Sequence, residues 1–366
     1  MSKHKKDKGK LKKLELVQVS GTHREIGQQI GEACSHQIVH SIENAHQLFE
    51  DAYRDLQLSW KGARIQARKY LPFAEERFPQ YVEEMHGIAE GAGVKFDDIA
   101  VLNVMEGVTV DALHLSKCTS MALNQERTRD GEVLIAHNED WVPEDQEDVF
   151  FVLARPKDEP AFLAMTYGGL LPNIGINEMG LAQCCDSVYT TDRRIGIPRV
   201  IVSRAVLAAR TPNEAIRCAL TPRRAAGYNH LLVHESGEIY SVEVSARRFA
   251  LLYGTKGYMV HTNHYLDREM QRIEKDPDEL ISTRVRYWRA YRLLESTRHH
   301  TVETLKEITK DHVNYPDSIC RHSTEGSPLE REKTIVSMIF DLTNREIHAA
   351  WGNPCQGVYQ TFHFNT

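Results

Sequence analysis

The chain has 366 residues, 41% of them hydrophobic and 26% charged, which is enough apolar material for one large core and excludes a disordered protein. Its net charge of -6 excludes a surface made wholly for nucleic acid, and no apolar run reaches membrane-spanning length. The seven cysteines, an odd number without Cys-x-x-Cys spacing, suit reduced thiols. The expectation is a cytoplasmic protein with no metal, no cofactor, no nucleic-acid partner and no membrane contact.

Residues 1–20 begin with a basic run, Lys3-His4-Lys5-Lys6, and are expected to form a disordered tail. From residue 21 to about residue 111 the periodicity is helical. Ile26, Ile30, Cys34, Ile38 and Ile42 recur every four residues as one apolar stripe. A further helix is predicted from about Pro79, with Val82, Met85, Ile88 and Ala89 on one face and a stop at Gly91-Ala92-Gly93.

After Cys118 the texture changes to strands. Apolar runs at 118–123 and 133–136 flank Asp130-Gly131, a strong hairpin signal. With a strict two-residue loop Asp140 faces Met121, out of phase with Cys118, whereas one added residue puts both on one face; the sequence leaves that register open. Further strands are expected at 149–153, 162–167, 230–233, 239–244 and 334–340, joined by turns at Ser236-Gly237 and Thr343-Asn344-Arg345 that imply antiparallel sheets. Thr211-Pro212-Asn213-Glu214 opens a helix, and two more are expected at 279–296 and 302–313. Strands covered by helices on their outer faces give an α+β protein, and the absence of repeats favours one compact domain.

Read bare, a cysteine that starts an apolar strand is a buried structural thiol. The motifs around it shift that reading. Cys118-Thr119-Ser120, then Asn138-Glu139-Asp140, His261-Thr262-Asn263-His264-Tyr265 and Ser318-Ile319-Cys320-Arg321 occur in this order. In that order, with the Arg24-Glu25-Ile26-Gly27 opening and the late Gly352-Asn353-Pro354-Cys355 turn, the chain resembles the penicillin acyltransferase family of N-terminal-nucleophile hydrolases, relatives of choloylglycine hydrolases. One departure is Lys117, where the family often has glycine.

The resemblance implies a four-layer αββα sandwich and a chain that cuts itself between Lys117 and Cys118. Residues 1–20 would be the tail, 21–117 the small subunit and 118–366 the catalytic segment, the two pieces remaining together as a heterodimer. It implies Cys118 as nucleophile, activated by its own α-amine, which titrates near neutrality. Asp140 would orient that amine, Asn263 would donate to the oxyanion, and Arg321 would supply a fixed positive charge. His137, Asn138 and Tyr189, in the stretch 189–194, are possible substrate contacts. His261 and His264 invite a metal reading, but two histidines three apart without a third ligand are weak. The substrate would be a small-molecule amide or an acyl-coenzyme A, handled through an acyl-cysteine. The alternatives are an uncut Cys/His hydrolase and a non-catalytic scaffold.

Overall fold

A computed structural model describes residues 13–52, 57–108, 117–324 and 332–364. The first strand, β1 (Glu15–Gly21), overturns part of the expected tail: it pairs along its length, Leu16, Val17 and Val19 included, in parallel with β4 (Val149–Pro156). Backbone pairing at a sheet edge outweighs the basic composition just before it. Residues 1–12 lie outside the described residues.

The apolar stripe read from Ile26 to Ile42 runs across two helices, α1 (His23–Ala33) and α2 (Ser35–Asp51), which break at Cys34. Thr22 and Glu25 form a capping box at the start of α1. Then come α3 (Trp60–Ala67), α4 (Leu71–Arg77), α5 (Pro79–Ala92) and α6 (Phe96–Asn103). Helix α5 ends at Gly93 with φ at 69°, as its glycines predict. Helices α1 and α5 touch backbone to backbone. A Cβ at Gly27 would lie 2.0 Å from the Glu84 carbonyl oxygen, and one at Gly87 would lie 2.1 Å from that of Arg24. Only hydrogen fits at either position.

Two sheets follow. The larger has the order β1-β4-β5-β6-β7-β8-β9-β10, adding β5 (Phe162–Tyr167), β6 (Ile174–Asn177), β7 (Leu181–Asp186), β8 (Tyr228–His234), β9 (Ile239–Val244) and β10 (Phe249–Tyr253). The smaller runs β11-β2-β3-β12-β13-β14. It comprises β2 (Lys117–Leu123), β3 (Leu134–Trp141), β11 (Tyr258–His261), β12 (Lys333–Asp341), β13 (Glu346–Trp351) and β14 (Tyr359–His363). Helices α1, α2, α7 (Arg199–Leu207) and α8 (Pro212–Ala219) pack on the larger sheet. The outer face of the smaller sheet carries α9 (Ile281–Glu295) and α10 (Val302–Thr309), while β2 faces β7 and β8 across the middle. The protein is an αββα sandwich, and the start of β2 lies between its two sheets. Among the described residues, no helix is long and apolar enough to cross a membrane.

Candidate active site

Strands β2 and β3 pair with Cys118 opposite Glu139, Lys117 opposite Asp140 and Leu123 opposite Leu134. The connection is therefore residues 124–133 rather than a two-residue loop. Asp130-Gly131 does turn, with Gly131 at φ 78°, but Arg129 N–H first donates to the carbonyl of His300, in the connection after α9, and His300 N–H donates to the Arg127 carbonyl, which lengthens the excursion. The register moves by four residues relative to the tight-turn reading, so parity is unchanged. Cys118 and Glu139 point between the sheets, and Lys117 and Asp140 point to the other face, where α9 lies. Asp140 thus stands across from the residue before the thiol, beside the Lys117–Cys118 peptide group.

Each polar group flanking Cys118 is held. Its backbone N–H donates to Asn263 Oδ1 at 2.9 Å, and its carbonyl accepts from Arg286 Nη1 at 2.5 Å. Arg286 comes from α9, is fully buried, and also reaches Thr119 Oγ1 and Asn263 Oδ1, both at 2.8 Å. The Cys118 thiol donates to Glu139 Oε2 at 3.4 Å and accepts from the backbone N–H of Asp140. Burial, followed by the charges of Glu139, Asp186 and Asp140, pushes the thiol well above its ordinary range, so sulfur carries its proton here.

On the opposite face, the Thr334 hydroxyl donates to Asp140 Oδ1 at 2.7 Å. Burial pushes the Asp140 carboxyl up to about 7, against the pull of Arg286, Arg321 and that hydroxyl. Lys117 Nζ lies 2.8 Å from the buried Glu332 carboxylate. Arg321 approaches the same carboxylate with Nε at 3.7 Å and pairs with Asp317 at 2.6 Å. The guanidinium that touches Cys118 is that of Arg286, at its carbonyl. Arg321 acts on Asp140 from the sheet's outer face.

Between the sheets a polar chain continues from the thiol. Glu139 bonds His137 Nε2 at 2.9 Å, His137 Nδ1 meets the Ser120 hydroxyl at 2.9 Å, and that hydroxyl donates to Asp186 Oδ1 at 2.8 Å. His261 lies 3.4 Å from Asp186 and 2.9 Å from Glu243. Burial opposes the charge on His261, but these two carboxylates raise it to about 9, so it stays protonated. His264 turns away to Thr262 and Thr283, and burial lowers it to about 3. The two histidines do not converge on one point.

Asn263 is brought to Cys118, but through its carbonyl oxygen; its NH2 donates to the Ser187 carbonyl at 3.0 Å. His137 joins the inter-sheet chain. Asn138, expected as a substrate contact, instead donates to the carbonyls of Thr309 and Ile319 and ties α10 to the smaller sheet. Tyr189 is buried in the main core. Sequence reasoning missed Glu139, taken as the variable middle of Asn-x-Asp, and Arg286, which carries no local motif.

A small cavity of about 60 Å³ opens beside this site, with Glu139 and Ser187 in its wall. Leu48, Leu102, Met105 and Leu170 make its surface largely apolar, while Asp145 and Arg199 add charge. The lining suits the apolar portion of a small molecule.

A model of the family described as acyl-coenzyme A:6-aminopenicillanic acid acyl-transferase matches residues 127–356, well over half of the chain. The chain belongs to that family. It is 26% identical over 344 residues, 92% of each chain, to the 40 kDa form of acyl-coenzyme A:6-aminopenicillanic-acid-acyltransferase from Emericella nidulans. It is also 26% identical over 376 residues, 93% of each, to beta-alanyl-dopamine/carcinine hydrolase of Drosophila melanogaster. Among solved structures, a variant of conjugated bile acid hydrolase from Clostridium perfringens aligns at 14% identity and TM-score 0.46, covering 68% of this chain and 97% of that one. This member of the family is an enzyme of acyl transfer or amide hydrolysis acting on carbon–nitrogen bonds.

Proposed function

We propose that the protein is a self-processing cysteine amidohydrolase or acyltransferase in which Cys118 first cuts its own chain and then carries the acyl group. The observation that carries this reading is the grip on the peptide groups around Cys118: Asn263 holds its nitrogen, Arg286 its carbonyl, and Asp140 stands across from Lys117. A merely structural thiol needs none of these.

In the cutting step the thiol proton passes to Glu139, 3.4 Å away, and sulfur attacks the Lys117 carbonyl carbon. The C–N bond breaks as Asp140, protonated below about 7, supplies a proton to the departing nitrogen. Water then opens the thioester and leaves Cys118 with a free α-amine, which replaces Glu139 as the base for later turnovers. Asp140 and Asn263 Oδ1 are the acceptors for that amine. The Asn263 NH2 stands toward Ser187 and the cavity wall, where a tetrahedral oxyanion would form. The acyl part of an amide or acyl-coenzyme A enters the apolar cavity, and water or an amine takes it from sulfur. Residues 1–117 and 118–366 would remain associated as a heterodimer.

The uncut Cys/His hydrolase finds less support, because His137 reaches the thiol only through Glu139. Intact mass decides. The wild-type chain should separate into two pieces at Lys117–Cys118 and Cys118→Ala should stay whole and inactive; an alanine variant still cut there would assign the cut to another protease.

A further inference from the structure

Away from the thiol, the loop after α10 and the turn after β13 bring four side chains to one point. Cys320 Sγ and Cys355 Sγ are 3.6 Å apart, and each lies 3.5 Å from His322 Nε2. His312 Nε2 lies 3.1 Å from His322 Nε2, and all four atoms fall within 4.8 Å of one another. A tetrahedral zinc ion, with Zn–S about 2.3 Å and Zn–N about 2.0–2.1 Å, requires S–S edges of about 3.8 Å, S–N edges of about 3.5 Å and N–N edges of about 3.3 Å. Four of the six edges are close to those of such a shell, and the two from His312 to the sulfurs lie within 4.8 Å.

We propose that His312, Cys320, His322 and Cys355 form a Cys2His2 zinc site. All four positions are protein atoms, so no coordination position is left for substrate and the role is structural. Hydrogen-bond donors and a cation surround the sulfurs. The Asn353 amide donates to Cys320 Sγ at 3.6 Å, the backbone N–H of Cys355 also donates to it, and Lys333 brings a positive charge toward both sulfurs. The loop is already shaped for the purpose, with Cys320 N–H bonded to the Asp311 carbonyl and His322 N–H to the Pro316 carbonyl, both at 3.0 Å.

Arg321 lies between two of the ligands, and its carbonyl accepts from Thr334 N–H at 3.0 Å and Asn353 Nδ2 at 2.6 Å. Zinc would therefore fix the backbone that aims Arg321 at Asp140 and Glu332. The site would stiffen the outer wall of the candidate active site without touching the reaction.

The test uses the full chain, reduced, stripped with a chelator and titrated with Zn²⁺ and, separately, Co²⁺. The expected result is about one ion per chain, with Co²⁺ giving thiolate charge-transfer bands and the intense visible bands of a tetrahedral site. Cys355→Ser and the exposed His312→Ala should each weaken binding at least about tenfold and lose the rise in melting temperature that zinc gives the wild type. Three results would overturn the proposal. One is a reduced chain that takes up no zinc. Another is a Cys320–Cys355 disulfide in protein prepared under reducing conditions. The last is undiminished zinc binding in both variants, which would move the ion to Cys118, His137 and Glu139, whose ligand atoms also lie within 4.8 Å of one another.

Discussion

Two buried charged clusters in this molecule look alike in composition and differ in completeness. In the first, fully buried Arg204 of α7 donates from Nε and Nη2 to both oxygens of Glu84, at 3.2 and 3.1 Å, and reaches Glu159 at 3.4 Å. His23 closes on Glu84 at 2.8 Å, Tyr81 donates to Glu159 at 2.8 Å, and the guanidinium lies over the Phe162 ring at 4.4 Å. Burial works against both ions, yet His23 rises to about 9 and Glu159 falls to about 2. In the second, around Cys118, Asp140 Oδ2, Arg286 Nε and Arg321 Nε have no hydrogen-bond partner among the described residues, and Asp140 titrates near 7. A closed network holds helices together. An open one retains bonding capacity for groups that change during a reaction, which is why perturbed carboxylates there signal chemistry rather than packing.

The sharpest way to separate the two is to remove one arginine from each. Arg204→Met leaves buried Glu84 with His23 alone and should cost about 3–5 kcal/mol in urea unfolding, while the fraction that stays folded keeps its kcat. If kcat falls and stability does not, the cluster is not the scaffold described here. Arg286→Lys keeps a buried charge but loses the fork that grips the Cys118 carbonyl, Thr119 and Asn263 together. Activity and self-cutting should drop by about 10–10²-fold with little change in melting temperature. An equal loss of both would place Arg286 with Arg204 as a structural residue.

A smaller effect is expected from Asp140→Asn, read as a pH profile of the cutting rate. The wild-type profile should bend near pH 7, where the carboxyl loses its proton, and the bend should vanish in the variant. The stability sign follows from the same shift. With the folded value of about 7 above the ordinary 3.8, the carboxyl's contribution is full below 3.8 and is lost as pH rises through about 7. Asp140→Asn should therefore flatten that part of the stability curve. A wild-type rate that does not change between pH 6 and pH 8 would remove Asp140 from the role of acid.

The elements were largely legible because their signals are local: the helix cap at Thr211, the glycine stop at Gly93, the apolar strands from Val149 onward. The pairing of Lys117 with Asp140 was not, because the length of the 124–133 excursion is set by contacts with His300, far away in sequence. Cys118, Asp140 and Asn263 could be named from short motifs. Arg286 could not, since it stands within an ordinary amphipathic helix and meets the site only when α9 packs on β2. Glu139 was passed over as the unspecified middle residue of a motif, though its alternation with Asp140 already put it on the thiol's side of a correctly registered hairpin. The Cys2His2 set escaped for a related reason. Cysteine arithmetic looks for close pairs, and here Cys320 and Cys355 are joined by strand pairing across β12 and β13.

Strand β1 has one further consequence. It belongs to the segment before Lys117 yet hydrogen-bonds along its whole length to β4, which belongs to the segment after it. A cut at Lys117–Cys118 would leave every noncovalent contact in place while changing the order of the refolding reaction. The uncut chain refolds by a unimolecular search at any dilution, whereas the two pieces must first find each other, so recovery after denaturation would depend on protein concentration. Cleavage would thus convert a reversible folder into one whose native state, once lost in dilute solution, is slow to return.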